Sequence, residues 1–391
     1  MHLGPGPFRC REKRRPELCR ATVLRGLQPA PASGRPLPVV GKRSPTQGNA
    51  YSFEERFVDR RFPVISVVIP VVCDASKGLS TCLDALERQT MPRGEYEIIV
   101  VNDGPVDITV EIIANRHGVT FLSQSRRGAA AARNLGARHA RGEILLFTDA
   151  DCIPKSNWIE AMIAPFADQE VVGVCGVVRT RQTGLIPRFI QLEYDYRYRN
   201  IAKRSRIDFI NTGTAGYRKQ VFAESGGFQE ALLGAEDAEF SFRLANRGYK
   251  MVFAPEAVVY HRHPESILEY ARRKAHYGYW RMVIYHKHPH KAVADSRTPQ
   301  TQKIQIGLLF LLIAAIIGSI FWRGFVWLIG GLTLSFLLAS LPFWWWVLRR
   351  DLQAGLFVPL LLLVSTASVG AGMIAGLTYE WMRRFKGTDR H

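Results

Sequence analysis

The chain has 391 residues and a formal net charge of +18, with 52 lysine and arginine residues against 34 aspartate and glutamate residues. The spacing of cysteines and histidines excludes a structural zinc site, and the six cysteines show no paired spacing, which favours a reducing compartment over a disulfide framework. The positive charge indicates nucleic acid or an anionic membrane surface as a partner.

Residues 1–62 are rich in Arg, Pro and Gly and lack apolar periodicity. They contain no apolar run long enough for the core of a signal peptide. We expect a disordered basic extension, which is either an arm attracted to a membrane or a segment upstream of a misplaced start codon. The first methionine after Met1 is Met91, which comes too late to start the domain that follows.

Two buried strands are predicted next, at residues 63–70 and 96–101, because each is a short continuous apolar run. Between them, Leu79, Leu83 and Leu86 recur at helical spacing. This order and these lengths predict a right-handed βαβ unit in a parallel sheet.

A further buried strand is predicted at residues 144–148, after a helix from Ala129 to Ala140, and it ends in Asp149-Ala150-Asp151. The carboxyl ends of such strands are where α/β sheets bind ligands. Side chains i and i+2 of a strand point the same way, so the two aspartates can present oxygens to one divalent cation that holds a diphosphate. The alternative is an Asp-rich turn that includes Pro154.

Glu236 and Asp237 open a helical pattern later in the chain. A carboxylate is stabilised at a helix N-terminus, and it can serve there as a general base. The alternative is a charge cluster that only caps the helix. His261 follows a strand-like run at residues 257–260, where a histidine can complete a metal site.

Five motifs, in this order, resemble those of the family 2 glycosyltransferases, which are inverting enzymes with the GT-A fold. The resemblance covers about residues 63–290. Two positions depart from the family pattern, since Cys73 stands where Asn is frequent and Asn102 where Asp is frequent. The motifs are Val67-Val68-Ile69-Pro70, Val100-Val101-Asn102-Asp103-Gly104, residues 128–136, Asp149-Ala150-Asp151 and Gly234-Ala235-Glu236-Asp237.

The resemblance implies an α/β fold, with a Rossmann-like GT-A domain of mainly parallel sheet at residues 63–265. It implies that Asp103 meets the nucleotide base and that Asp237 is the catalytic base, with Glu236 beside it. Asp149 and Asp151, with His261, would hold Mn²⁺ or Mg²⁺. Under this resemblance the residues that bind the nucleotide sugar are Pro70, Val71, Asp74, Asp103, Arg133, Asp149, Ala150 and Asp151.

Three apolar stretches, at residues 304–322, 325–348 and 356–377, are each close to the roughly 20 residues that cross a bilayer as a helix. Trp322 and Trp344 lie near predicted ends, as interfacial tryptophans do. We therefore predict a transmembrane region of about three helices at residues 304–378, followed by a basic tail at 379–391. The alternative is a re-entrant hairpin with a single span.

Residues 266–303 are predicted to form an amphipathic interfacial segment, in which basic and aromatic residues alternate. Such a pattern suits a lipid headgroup layer. It also suits single-stranded nucleic acid, but the apolar spans make membrane lipids the expected partner and nucleic acid not. The basic residues are Arg272, Arg273, Lys274 and Arg281.

We place the catalytic domain on the cytoplasmic face of the inner or plasma membrane, because nucleotide sugars are made in the cytoplasm. Lys287, Lys291 and Lys303 before the first span agree with the positive-inside rule. With three spans Arg383 and Arg384 would fall outside, a conflict that two or four crossings would remove.

The sequence thus predicts a multi-pass, metal-dependent inverting glycosyltransferase that transfers a sugar, from a UDP-sugar by preference, to a lipid-linked or polysaccharide acceptor. Residues 269–305 resemble enzymes of exopolysaccharide assembly of the succinoglycan type. A processive synthase is the first alternative, although its Gln-x-x-Arg-Trp motif is replaced here by Tyr279-Trp280-Arg281. A catalytically silent scaffold and a nucleotidyltransferase are the others, and the latter lacks its glycine-rich basic loop after the first strand.

Overall fold

The structure is a computed structural model that describes residues 65–72, 76–293, 295–296 and 298–385. The predicted disordered extension and the predicted nucleotide contact Asp74 lie outside the described residues.

One sheet of eight strands, in the order β3-β2-β1-β4-β7-β6-β8-β5, forms the centre of the domain. The strand bounds are β1 (Ile65–Val72), β2 (Tyr96–Asp103), β3 (Thr120–Gln124), β4 (Ile144–Thr148), β5 (Ile153–Pro154), β6 (Val171–Arg179), β7 (Thr214–Arg218) and β8 (Lys250–Tyr260). The four strands β1 to β4 are mutually parallel. β7 is antiparallel to both β4 and β6, and β6 and β8 are parallel to each other.

Helices connect these strands and extend the chain beyond them. Their bounds are α1 (Ser76–Glu87), α2 (Ile108–Arg116), α3 (Ala129–His139), α4 (Trp158–Ile163), α5 (Leu185–Ile201), α6 (Lys219–Glu224), α7 (Glu236–Asn246), α8 (Ile267–Lys287), α9 (Pro289–Val293), α10 (Gln300–Gly318), α11 (Phe325–Leu348) and α12 (Leu352–Phe385). The order β1, α1, β2 with parallel pairing confirms the predicted βαβ unit.

The core between the sheet and the flanking helices is rich in aromatic rings. Phe147 of β4 lies 5.4 Å from Phe228, centroid to centroid. Tyr217 of β7 packs edge-on against Phe240 of α7 at 5.1 Å, and Phe222 lies 5.0 Å from Phe240. Edge-to-face pairs of this kind add to the stabilisation from buried area. They hold α7 against the sheet and so fix the start of α7 near the end of β4.

Three C-terminal helices, α10, α11 and α12, are long and apolar enough to cross a membrane. The third continues to Phe385, so residues 379–385 of the predicted basic tail are helical, and residues 386–391 lie outside the described part of the chain. α5 packs by Ile186, Phe189 and Ile190 into an apolar cluster with α11 and α12. It is therefore a packing helix.

α8 lies along α12 with very little space between the two backbones. A Cβ on Gly278 of α8 would collide with the carbonyl of Val369, and a Cβ on Gly372 of α12 with the carbonyl of Ala275. One on Gly376 would lie 2.6 Å from the Tyr279 carbonyl oxygen. Small residues spaced by four allow helix backbones to approach closely. The predicted interfacial helix is thereby joined to a membrane-spanning one.

Candidate active site

The strands β1, β2 and β4 end at one edge of the sheet, because they are parallel neighbours. β4 delivers Asp149, Ala150 and Asp151 directly to that edge. Ala150 is buried, whereas the side chains of Asp149 and Asp151 are 34% and 56% exposed. α1 closes over the turn, since a Cβ on Gly78 would lie 2.7 Å from the Ala150 carbonyl oxygen. The two carboxylates are thus held at the surface by a buried alanine.

His261, at the end of β8, meets Asp151 with 3.2 Å between its Nε2 and a carboxylate oxygen. Oxygens of Asp149 and Asp151 and the thiol of Cys152 lie within 4.8 Å of one another. Burial alone would raise the pKa of Asp151, but the hydrogen bond and charge of His261, helped by Arg273, hold that pKa below its usual value. Two ionised carboxylates and an imidazole form a donor set that suits Mn²⁺ or Mg²⁺.

Two thiols lie behind this edge but carry the character of packing groups. Burial, and then the charge of Asp149, raise the pKa of Cys82 and of Cys152 well above their usual value. Both side chains are at most 1% exposed. Because only the thiolate is a strong metal ligand, the carboxylates and His261 are the better candidates. The small, buried Cys152 fits this turn by its size.

Arg133 of α3 forms a bridge between the two ends of the site. Its guanidinium donates to Asp149 at 2.7 Å and to Glu236 at 2.8 Å. The Arg133 side chain is only 5% exposed, so its contact partners are protein carboxylates. Its predicted contact with the nucleotide sugar stays a prediction.

Asn134, the next residue of α3, makes a second connection to the same half of the site. Its amide exchanges two hydrogen bonds with the main chain of Phe228, at 2.8 and 2.9 Å. Adjacent side chains of one helix therefore fix both the metal-binding turn and the segment that leads to Glu236. The motif that carries the family resemblance has this structural purpose here.

Glu236 and Asp237 begin α7 and have different environments. The Glu236 side chain is 12% exposed and paired with Arg133, while Asp237 is partly exposed. Burial raises the pKa of Glu236, although Arg133 opposes the shift and Asp237 adds to it. One oxygen of Asp237 accepts from the Ala238 N–H at 2.7 Å, as expected at a helix N-terminus. Of the two, Asp237 is the carboxylate that an acceptor can reach.

Asp103, predicted to meet the base, is 3% exposed and binds the loop before α3. It accepts hydrogen bonds from the main-chain N–H groups of Arg127 and Gly128, both at 2.8 Å, and from Gln124 at 2.7 Å. Gly128 has a φ of 98°, a conformation that glycine adopts without strain. Contact of Asp103 with a base stays a prediction.

Pro70 and Val71, also predicted to line the nucleotide pocket, lie in the last three residues of β1 and are buried. They stand opposite Val101 and Asn102 of β2. This places them at the same edge of the sheet as Asp103. Their contact with a nucleotide stays a prediction.

Arg273 was predicted to face lipid headgroups, but it turns toward the metal-binding edge. Its Nε donates to the Tyr277 hydroxyl at 2.8 Å, and its charge acts on both Asp151 and His263. Lys274 likewise points inward and pairs with Glu193 at 2.8 Å. The charge pattern of α8 could not reveal this, because it does not show which face of the helix packs on α12.

His263 is a core residue. It is 3% exposed and stacks on Tyr194 with 5.3 Å between ring centroids. Burial, and then the charge of Arg273, lower the pKa of His263 to about 3, so its ring is neutral. This leaves His261 as the histidine that contacts Asp151.

Known proteins share both the sequence and the architecture of this domain. Residues 66–226 match the profile of Glycosyl transferase family 2. The chain is 30% identical over 208 residues to the glycosyltransferase AglE of Haloferax volcanii, a match that covers 51% of this chain and 67% of that protein. It is 28% identical over 223 residues to the pre-mycofactocin glycosyltransferase of Mycobacterium tuberculosis, covering 55% of this chain and 46% of that protein, so it spans about half the length of this relative.

The mannosyltransferase PcManGT of Pyrobaculum calidifontis, solved in complex with GDP-Man and Mn²⁺, aligns with a TM-score of 0.55 at 21% identity, over 81% of this chain and 87% of that one. At this identity the likeness supports the fold. None of these relatives carries the predicted resemblance to succinoglycan-type enzymes, which stays a prediction. Together the family profile, the similarity to AglE and the shared architecture show that the chain belongs to glycosyl transferase family 2 and has the GT-A fold.

Proposed function

We propose that the protein is a metal-dependent, inverting glycosyltransferase that uses a nucleotide sugar, preferably a UDP-sugar, and acts on a lipid-linked or polysaccharide acceptor. The observation that carries this proposal is the separation of two kinds of carboxylate at one edge of the sheet. Asp149 and Asp151 lie with His261, while Asp237 stands apart at the start of α7.

In this mechanism Asp149, Asp151 and His261 would hold the divalent cation, which neutralises charge on the leaving diphosphate. Asp237 takes the proton from the acceptor hydroxyl. The hydroxyl oxygen then forms a bond to the anomeric carbon from the face opposite the diphosphate, and the bond from that carbon to the diphosphate oxygen breaks. Arg133 keeps Asp149 and Glu236 in place and so positions both ends of the site.

The apolar surface of the C-terminal helices supports a membrane location. Most of the side chains of α10 and α11 are not buried within the protein, as expected of helices surrounded by lipid. We place the catalytic domain on the cytoplasmic side of an inner or plasma membrane, where nucleotide sugars are made. Lys287, Lys291 and Lys303, close to the start of α10, agree with this side.

Asp151→Ala tests the proposed metal dependence. For the wild-type protein we expect nucleotide-sugar binding that needs Mn²⁺ or Mg²⁺ and is lost with a chelator. The variant should lose the part of the affinity that depends on metal. Calorimetric titration of the protein in detergent measures both, and Asp168→Ala, at an exposed position far from this edge, is the matched control. Metal-independent binding that is equal in wild type and Asp151→Ala would contradict the proposal.

A further inference from the structure

A cavity of about 500 Å³ lies between α8, α9, the start of α10 and the end of α12. It is large enough to hold a lipid headgroup and the first carbons of its tail. Its walls come from the helix that packs against the catalytic domain and from two helices able to cross a membrane. The cavity therefore stands where the aqueous domain meets the bilayer.

One side of the cavity is basic. Arg281, His286 and Lys303 contribute to its lining, and none of the described lining residues is acidic. Lys303 is held by the carbonyl oxygen of Ala292 at 2.9 Å. Its partner carboxylate, on Asp295, is 3.3 Å away and 1% exposed. The basic groups are thus fixed in position by the segment between α9 and α10.

The opposite side of the cavity is apolar. Met282 of α8, Ile306 of α10, and Met373 and Leu377 of α12 line it. The two last residues belong to a membrane-spanning helix, and Leu377 is 53% exposed. A ligand that occupies the whole cavity must therefore be anionic at one end and hydrocarbon at the other.

The cavity also reaches toward the catalytic base. A second, smaller space is lined by Gly234 and Ala235, which directly precede Glu236 and Asp237. Arg281 and Tyr285 line both spaces. The α8 helix is close to this loop, because a Cβ on Gly234 would lie 2.6 Å from the ring nitrogens of both His276 and Trp280. The basic side of the large cavity thus adjoins the loop that carries the base.

We propose that this cavity binds the phosphate of a membrane lipid, with Arg281, His286 and Lys303 around the phosphate and the first part of the tail along α10 and α12. Guanidinium and ammonium groups are the usual partners of phosphate oxygens. The inference deepens the proposed function and rests on it in one respect, which is that the lipid carries the acceptor. A lipid monophosphate and a bulk anionic phospholipid share this chemistry, and the structure favours the former because the cavity adjoins the base.

Native mass spectrometry of the whole protein in detergent tests the site without any turnover. The probes are a polyprenyl monophosphate, phosphatidylglycerol, phosphatidylcholine and inorganic phosphate. We expect retention of the polyprenyl monophosphate above the other three. Arg281→Gln should weaken it at least about tenfold, because a charge-assisted hydrogen bond to phosphate is lost. Met373→Trp, which fills the apolar side and keeps every charge, should weaken it too.

Arg323→Gln is the matched control, since it removes a charge from an exposed position in the turn between α10 and α11. It should leave retention unchanged, and an unchanged melting temperature shows that each variant is folded. Equal or stronger retention of phosphatidylglycerol would overturn the assignment of the lipid as acceptor. Retention that neither Arg281→Gln nor Met373→Trp reduces would overturn the site itself. Metal-dependent binding of the nucleotide sugar, measured separately, is unaffected by either result, so the proposed function stands or falls independently.

Discussion

At the scale of single residues, the division of labour at the site comes from Arg133. It is buried between Asp149 and Glu236 and donates to both. Removal of one partner from a buried ion pair costs far more than an exposed pair contributes. Glu236 is therefore held in a structural pair, whereas the neighbouring carboxylate of Asp237 is partly exposed. Two adjacent acids that look equivalent in the sequence have different surroundings.

Asp237→Asn should reduce the turnover number by about 10²- to 10⁴-fold, because an amide cannot take the proton from the acceptor. Binding of the nucleotide sugar should change little, since the metal-binding carboxylates are untouched. Steady-state kinetics, together with a direct binding titration, separate the two effects.

Glu236→Gln is the comparison for that variant. It weakens the pair with Arg133 and should lower the thermal stability while it retains a larger share of turnover than Asp237→Asn. The reverse order of turnover in the two variants would show that Glu236 takes the proton.

The convergence of Asp149, Asp151 and the end of β8 at one edge was predictable, because parallel strands place their ends together. The partners of Asp103 were not. They depend on the positive φ of Gly128, which turns two main-chain N–H groups toward the carboxylate. A local backbone conformation of this kind leaves only a glycine in the sequence.

At the scale of helices and strands, α8 is the element that connects chemistry and membrane. Its Ala275 and Gly278 lie against Gly372 and Val369 of α12. Its Ile284 packs with the α7 residues that follow the base, in one apolar cluster. A disturbance of the contact between α8 and α12 should therefore reach the catalytic loop.

Gly372→Ala should destabilise the protein by about 2 kcal/mol, because the added Cβ collides with the carbonyl of Ala275 and the helices must separate. Gly330→Ala on α11 is the matched control, since no atom lies within 4 Å of its Cβ position. There, alanine should be neutral or slightly stabilising in a helix. Thermal unfolding of both variants in detergent, with transfer activity, gives the comparison. Equal melting temperatures would contradict the packing.

Asp208 connects the catalytic domain to the segment before α10, where Lys291 and the Ser296 N–H donate to it at 2.7 Å. Burial would raise the pKa of Asp208, but these hydrogen bonds hold it below its usual value. A depressed pKa in the folded state contributes stability that is present above the unfolded value of about 4 and is lost as the pH falls through the folded pKa.

Wild type should therefore be more stable than Asp208→Asn at neutral pH, and the difference between their melting temperatures should close as the pH falls below about 4. Melting curves of both proteins from neutral to acidic pH measure it. A difference that stays constant over this range would show that the charge of Asp208 does not contribute.

The strand β7 shows why the sheet was only partly predictable. The parallel strands β1, β2 and β4 are continuous apolar runs and were expected. β7 (Thr214–Arg218) is a five-residue segment without such a run, and its antiparallel place between β4 and β6 depends on pairing with distant segments. Local pattern carries no signal for a partner so far along the chain.

At the scale of the whole molecule, the catalytic edge, α8 and the membrane-spanning helices form one continuous path. The lengths of the three spans were predictable from composition, since each run is near the thickness of a bilayer. The contacts of α5 and α8 with these helices were not, because amphipathic helices that face lipid and those that pack on other helices share a pattern. The resulting arrangement presents the base side of the site toward the membrane region.

The central claim is that this domain transfers sugar from a nucleotide donor with a bound metal. The most direct measurement is the release of nucleoside diphosphate from a panel of nucleotide sugars by the purified protein in lipid vesicles, with Mn²⁺, Mg²⁺ or a chelator. We predict release from a single class of donor that requires the metal and is lost in Asp237→Asn. Binding of that donor without release in the presence of vesicle lipid extract would instead leave a silent scaffold, and no binding of any donor by folded protein would contradict the account.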